Sequence, residues 1–120
     1  MILTMLKAKL HRACVTQCDL GYEGSVTIDT VLLDAAGILR YEQIDVLNVN
    51  NGERFTSYAI EGEHGSGIIS INGAAARLAQ PRDTVIICAY IHMEEAEATG
   101  WQPVVIQVNE DNSVSPASPR

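Results

Sequence analysis

Basic residues are scarce in this chain. Eight lysines and arginines stand against fifteen aspartates and glutamates, a formal net charge of −7. Nucleic-acid binding and docking on anionic lipid both need a basic face, so neither partner class is expected. Aromatics are also thin, at 5%, which leaves Val, Ile, Leu and Ala to fill the core. No stretch approaches the roughly 20 apolar residues that span a bilayer. The opening Met1–Leu6 is too short for a signal-peptide core and is interrupted by Lys7 and Lys9. A cytoplasmic location is therefore expected. The three cysteines, Cys14, Cys18 and Cys88, cannot all pair, which fits a reducing compartment. Cys14 and Cys18 lack the second Cys or His pair that a zinc site needs, so they read as ordinary thiols and no metal is expected.

What is present suits one domain. The length is 120 residues, 47% of them hydrophobic and 19% charged, a globular balance without room for two cores. Charge is uneven along the chain: Lys7, Lys9 and Arg12 open it, whereas Glu94, Glu95, Glu97, Glu110 and Asp111 load its end. An anionic ligand would have to be drawn to a local basic pocket against the overall field.

Residues 2–16 alternate imperfectly and read as a long first strand with one face wet or lining a site. Gly21-Tyr22-Glu23-Gly24-Ser25 is a loop signal, and strand character resumes over 26–29. Asp29 or Thr30 can cap a short helix over 31–36 that Gly37 stops. Segments 44–49 and 54–60 alternate around Asn50-Asn51-Gly52, a hairpin signal of the type I′ kind. A short strand at 68–71 precedes Asn72-Gly73 and an alanine run of one or two helical turns. The run 84–93 is too continuous for a wet strand and reads as a central one buried on both faces. A helical turn at 94–99 and a last strand at 103–108 follow. The sum is a mainly β barrel with small helices over 1–109, and residues 110–120 read as a loose polar tail.

One dipeptide carries chemistry. The hydroxyl of a serine can attack the preceding carbonyl and convert the amide to an ester. The loop must then strain the peptide and hydrogen-bond the tetrahedral oxyanion. Glycine before the serine removes Cβ and allows close approach. Elimination of the ester and hydrolysis of the dehydroalanine leave a ketone at a new N-terminus, a pyruvoyl group, which serves as a covalent electron sink. Gly24-Ser25 has this form. So does Gly65-Ser66, inside Gly65-Ser66-Gly67, which reads as a hairpin tip.

What distinguishes Gly24-Ser25 is the sequence around it. Residues 5–12 (MLKAKLHR), 19–25 (DLGYEGS), 33–38 (LDAAGI), 51–55 (NGERF), 58–60 (YAI) and 71–76 (INGAAA) follow one another in an order and at positions that resemble the pyruvoyl-dependent aspartate 1-decarboxylases of bacteria. The resemblance covers residues 1 to about 95. It implies a double-psi β-barrel, a homotetramer with its site at a subunit boundary, and autocleavage after Gly24 into chains 1–24 and 25–120. It implies conversion of L-aspartate to β-alanine and carbon dioxide, through a Schiff base with the Ser25-derived pyruvoyl, for pantothenate and coenzyme A synthesis. Neither a metal nor pyridoxal phosphate is implied.

Residue by residue, the resemblance makes Ser25 the source of the pyruvoyl and Tyr58 the acid that reprotonates the carbanion. Lys9 and Arg54 match the substrate-anchoring cations, Arg suiting bidentate carboxylate recognition and Lys a point charge. Asn72, Gly73, Ala74 and Ala75 match a substrate-binding turn, and His11 and Tyr22 flank the site. Position 57 departs from the pattern: the usual threonine is Ser57, which keeps the hydroxyl expected to polarise the Gly24 carbonyl but loses the methyl that stiffens χ1. His64 and His92 are assigned no role. Two other classes stay open from the residues alone. One is a non-catalytic binding or assembly barrel with an uncleaved Gly24-Ser25 loop, and the other is a thiol redox protein using Cys14 and Cys18. Whether maturation is spontaneous or needs a partner protein is not legible.

Overall fold

A computed structural model describes residues 1–118. Its strands are β1 (Ile2–Cys14), β2 (Gln17–Asp19), β3 (Ser25–Asp29), β4 (Gln43–Asn48), β5 (Arg54–Gly62), β6 (Ile69–Asn72), β7 (Thr84–Glu94) and β8 (Val104–Gln107). Two short helices, α1 (Thr30–Ala36) and α2 (Glu95–Ala98), and a 3₁₀ helix at Gly73–Leu78 complete it. Strands join in the order β2-β6-β3-β5-β4-β7-β1-β8, with parallel pairing in β1/β8, β2/β6 and β3/β5.

β1 and β2 stand near opposite ends of that order, yet only Val15 and Thr16 separate them in the chain. Two residues reach no more than about 10 Å, so the sheet has to curl on itself. Val15 N–H donates to Asp83 O and Thr16 N–H to Ile69 O, at 2.9 and 2.8 Å, and these bonds tie that corner. The fold is mainly β, a double-psi β-barrel with small helices, as the sequence led us to expect.

The core follows from the composition. Leu10, Val26, Ile28, Leu32, Ile44, Val46, Ile69, Ile71, Val85, Ile87 and Ile106 are fully buried, and no aromatic joins them. Each such side chain contributes about 1.5–3 kcal/mol on burial. β7 lies between β4 and β1, central as expected, but it is not buried on both faces: Tyr90 and His92 are exposed. α1 starts where the Asp29 carboxylate accepts Val31 N–H at 2.9 Å and ends at Gly37, whose φ of 73° is left-handed.

Four further expectations need correcting. Gly65-Ser66-Gly67 is not a hairpin tip, because β5 and β6 each pair with β3 and not with each other. The β4–β5 connection is longer than a two-residue type I′ turn. Among its residues only Gly52 has a positive φ, and Gly52 N–H reaches back to Asn48 O. β2 was not legible, because its polar residues are ordered by parallel pairing with β6 rather than by any pattern of their own. The tail expected to be loose from residue 110 folds back instead. Asn112 is buried, receives Cys14 N–H at 2.7 Å and donates to Cys14 O and Gly67 O. Residues 119 and 120 of that tail lie outside the described residues.

Candidate active site

β3 begins at Ser25, directly after an exposed loop that Asp19 organises by accepting Gly21 N–H at 3.0 Å. Gly24 is exposed, whereas Ser25 is 2% accessible. Antiparallel pairing of β3 with β6 sets Ser25 opposite Asn72. The Ser25 hydroxyl donates to Glu23 O and accepts from Asn72 Nδ2, both at 3.0 Å. Asn72 Nδ2 also donates to Thr27 Oγ1 at 3.0 Å, and Asn72 Oδ1 accepts from Ser70 Oγ at 2.7 Å. Each polar atom of the Asn72 side chain is thereby engaged, which a buried amide requires. Asn72 does not cap the 3₁₀ helix that follows it, because its side chain is committed to Ser25.

Gly73 presses against the same junction from behind. Its φ is 74°, and a Cβ built there would fall 2.6 Å from Gly24 Cα and 2.8 Å from Gly24 N. Only glycine permits both this backbone conformation and this approach.

In front of Ser25 opens a cleft of about 280 Å³ lined by Tyr22, Glu23, Ser25, Arg40, Tyr41, Tyr58, Ile60 and Glu61. β3 and β5 run parallel with Val26 opposite Ala59, which brings Tyr58 level with Ser25. The Tyr58 and Tyr41 rings lie 6.2 Å apart, tilted by 55°. Tyr41 sits at φ 72° in a turn that is tied on both sides. Its N–H donates to Ala59 O at 2.7 Å, while Ala59 N–H donates to Glu42 O at 3.0 Å. The Lys7 ammonium binds both Glu42 carboxylate oxygens at 2.9 Å, and Glu42 also accepts Leu39 N–H.

The protomer thus gathers Gly24, Ser25, Tyr22, Tyr58, Asn72 and Gly73. It does not gather the rest of the expected set. Arg54 lies four residues before Tyr58 on β5 and lines a separate cleft with Asp45, Leu47, Phe55, Thr56 and Tyr90. Lys9 belongs to a row across the sheet in which it pairs with Cys88, Cys88 with Asp45, and Asp45 with Thr56. Directly paired residues project to one face, so Lys9 shares the outer face of the barrel with Arg54 and Tyr58 without lining the Ser25 cleft. His11 is also on β1. Burial first, then the charges of Lys9 and Arg12, hold its imidazole below the usual pKa, and its Nδ1 is buried without a partner among the described residues. Ser57 alternates with Tyr58 and lines an adjoining hollow with Tyr41, Gln43, Thr56 and Tyr58. Ala74 and Ala75 open the 3₁₀ helix, Ala74 exposed and Ala75 packed against the core.

Arg40, Tyr41, Glu23, Ile60 and Glu61 were missed. A loop Arg-Tyr pair carries no motif, and only the positive φ at Tyr41 turns it over the cleft. Cys18 offers little to thiol chemistry: burial and then the Asp83 charge raise its pKa, and its Sγ donates to Ala79 O. Among the described residues no group of three or more His, Cys, Asp or Glu side chains is placed to hold a metal, and no helix is long and apolar enough to cross a membrane.

A family model described as aspartate decarboxylase matches residues 1–115. The chain is similar to the aspartate 1-decarboxylase of Maricaulis maris, with 62% identity over 95% of this chain and 94% of that one. It is 58% identical to the aspartate 1-decarboxylase of Caulobacter vibrioides, over 98% of this chain and 100% of that one. For the aspartate 1-decarboxylase of Clostridium beijerinckii the figures are 54%, 95% and 92%.

Proposed function

The chain belongs to the aspartate decarboxylase family and is a carboxy-lyase acting on aspartate, and from that premise we propose that it processes itself at Gly24-Ser25 and works through a pyruvoyl group formed from Ser25. The observation that carries this reading is the junction itself: an exposed glycine followed by a buried serine whose hydroxyl is held by Glu23 O and Asn72 Nδ2. These residues fit the group. Asn72 offers a buried hydrogen-bond donor beside Ser25, and Gly73 leaves the room next to Gly24 that any side chain would fill.

When formed, the pyruvoyl supplies an electron sink for loss of the α-carboxylate. The remaining steps belong to this chain's own residues. In the intact chain Asn72 holds the Ser25 oxygen at the start of β3, next to the Gly24 carbonyl that it must attack. Gly73 fixes Gly24 from behind. Tyr58, which lines the cleft, would hold the proton that the substrate carbon receives after carbon dioxide leaves. Ser57 is assigned the polarisation of the Gly24 carbonyl. Asn72, Gly73, Ala74 and Ala75 form the turn on which substrate rests, with Tyr22 at its rim.

Lys9, Arg54 and His11 enter this scheme through a second copy. None of them lines the cleft of its own protomer, so a subunit boundary in a homotetramer would enclose the cleft and bring the carboxylate-anchoring cations to it. The product, β-alanine, would supply pantothenate and coenzyme A synthesis in the cytoplasm. The barrel over 1–109 is the processing and catalytic unit in this reading.

Intact mass under denaturing conditions, on fresh and then warmed protein, tests it. The expected result is two fragments split after Gly24, the larger lighter by one ammonia than an unmodified 25–120 chain, together with β-alanine formation from aspartate. Fragments without the ammonia loss would mean that the ester hydrolysed to leave serine. A single intact species, unchanged by prolonged warming or by candidate maturation proteins, would overturn the reading in favour of a binding module.

A further inference from the structure

Among the described residues Arg40 is the one cation on the wall of the Ser25 cleft, whose charged residues are otherwise Glu23 and Glu61. Its guanidinium carbon lies 4.7 Å from the centroid of the Tyr41 ring, and Tyr41 in turn packs towards Tyr58. A guanidinium lying over an aromatic face keeps its N–H donors at its edge, free for acceptors. The present acceptor is Glu61, 3.7 Å away, and both side chains are more than half exposed, at 57% and 55%. An ion pair this open is weak and exchangeable. The mount beneath it is firm: Tyr41 is bonded to Ala59, and the adjoining Glu42 is held by Lys7.

We infer that Arg40 is a specificity-determining residue that captures a carboxylate of the incoming dicarboxylic amino acid, which displaces Glu61 from it. The inference rests on the reading of the cleft given above and adds a residue to it. A chain with net charge −7 repels an anionic substrate, and without Arg40 the charged part of this wall would be wholly acidic. Arg40 acts before the reaction rather than in it, so its effect falls on capture. Glu61 acts in the opposite direction, as an internal competitor for the same guanidinium.

The test uses processed enzyme and the variants Arg40→Gln, Arg40→Lys and Glu61→Gln, each first shown by mass to be split after Gly24. Arg40→Gln is expected to raise KM for aspartate by about twofold to fivefold, the size of one exposed charge contact, while kcat stays within about twofold. Arg40→Lys falls between, since it keeps the charge and loses the fork. Glu61→Gln lowers KM. An unchanged KM in Arg40→Gln overturns the inference. So does a rise in KM in Glu61→Gln equal to that in Arg40→Gln, because the pair would then only shape the cleft. If the parent processes but does not decarboxylate aspartate, the proposed reaction fails by itself. Succinate binding to parent and Arg40→Gln, followed by NMR titration, then decides on Arg40: weaker binding in the variant supports it and equal binding sinks it.

Discussion

Asn72 reaches across 47 residues of sequence to donate its Nδ2 proton to Ser25 Oγ at 3.0 Å. The same amide also serves Thr27 and Ser70, so Asn72→Ala would release the nucleophile and leave two further hydroxyls short of a partner. A neutral hydrogen bond contributes about 1 kcal/mol, and cleavage after Gly24 should slow by about an order of magnitude. A mass time course on warmed precursor measures it. A rate equal to the parent's would show that this bond does not position the hydroxyl.

Gly73→Ala should be worse. The added Cβ would stand 2.6 Å from Gly24 Cα at a residue with φ 74°, and the left-handed conformation alone costs an alanine about 1 kcal/mol or more. Gly24 has to move away from residue 73, which displaces the scissile peptide, so cleavage should fall by at least about a hundredfold while the thermal midpoint drops by only a few degrees. Calorimetry beside the mass assay separates the two effects. A variant that cleaves normally would show that Gly24 need not be held from this side.

The sequence yielded what local chemistry writes into it. Alternation marked β5, the unbroken run marked β7 as central, and Asp29 and Gly37 marked the two ends of α1. Gly24-Ser25, Tyr58 and Asn72-Gly73 were legible as motif, and the fold brings them together. Arg40 and Tyr41 were not, because their place over the cleft depends on bonds to Ala59 and on a positive φ that an Arg-Tyr pair does not advertise. Lys9 and Arg54 were legible as residues but not as geometry, since neither lines the cleft of its own protomer. Asn112 hid in a polar tail, where its burial depends on contacts with Cys14 and Gly67, 98 and 45 residues away.

Ser57 stands on β5 between Phe55 and Ala59 on one side of the alternation and makes no side-chain hydrogen bond among the described residues. The role proposed for it would engage this hydroxyl with the Gly24 carbonyl during processing. Ser57→Ala should slow cleavage about tenfold, and Ser57→Thr should accelerate it by about twofold to threefold, because the methyl restricts χ1. The two variants run side by side at one temperature make the comparison. Cleavage of Ser57→Ala at the parent's rate would remove this hydroxyl from processing.

Asp29 joins the site strand to the rest of the molecule and should set the acid limit of stability. Burial raises its pKa, but N–H donors from Val31, Gly67 and Gly65, with the nearby His64, outweigh that and hold it below the ordinary carboxylate value. A native pKa depressed below the unfolded one contributes stability that is complete above the unfolded value of about 3.9 and is lost as pH falls through the native value. Unfolding free energy should therefore be insensitive to this group at neutral pH and decline below about pH 4. Asp29→Asn should flatten that decline. It should also lower stability at pH 7 by about 2–4 kcal/mol, because its NH₂ would face a backbone donor where Gly67 N–H now meets Oδ2 at 2.8 Å. Denaturant titrations of both proteins from pH 7 down to pH 3 measure the two slopes. Parallel curves would place the acid sensitivity elsewhere, since removing the carboxylate must remove its share of the pH dependence.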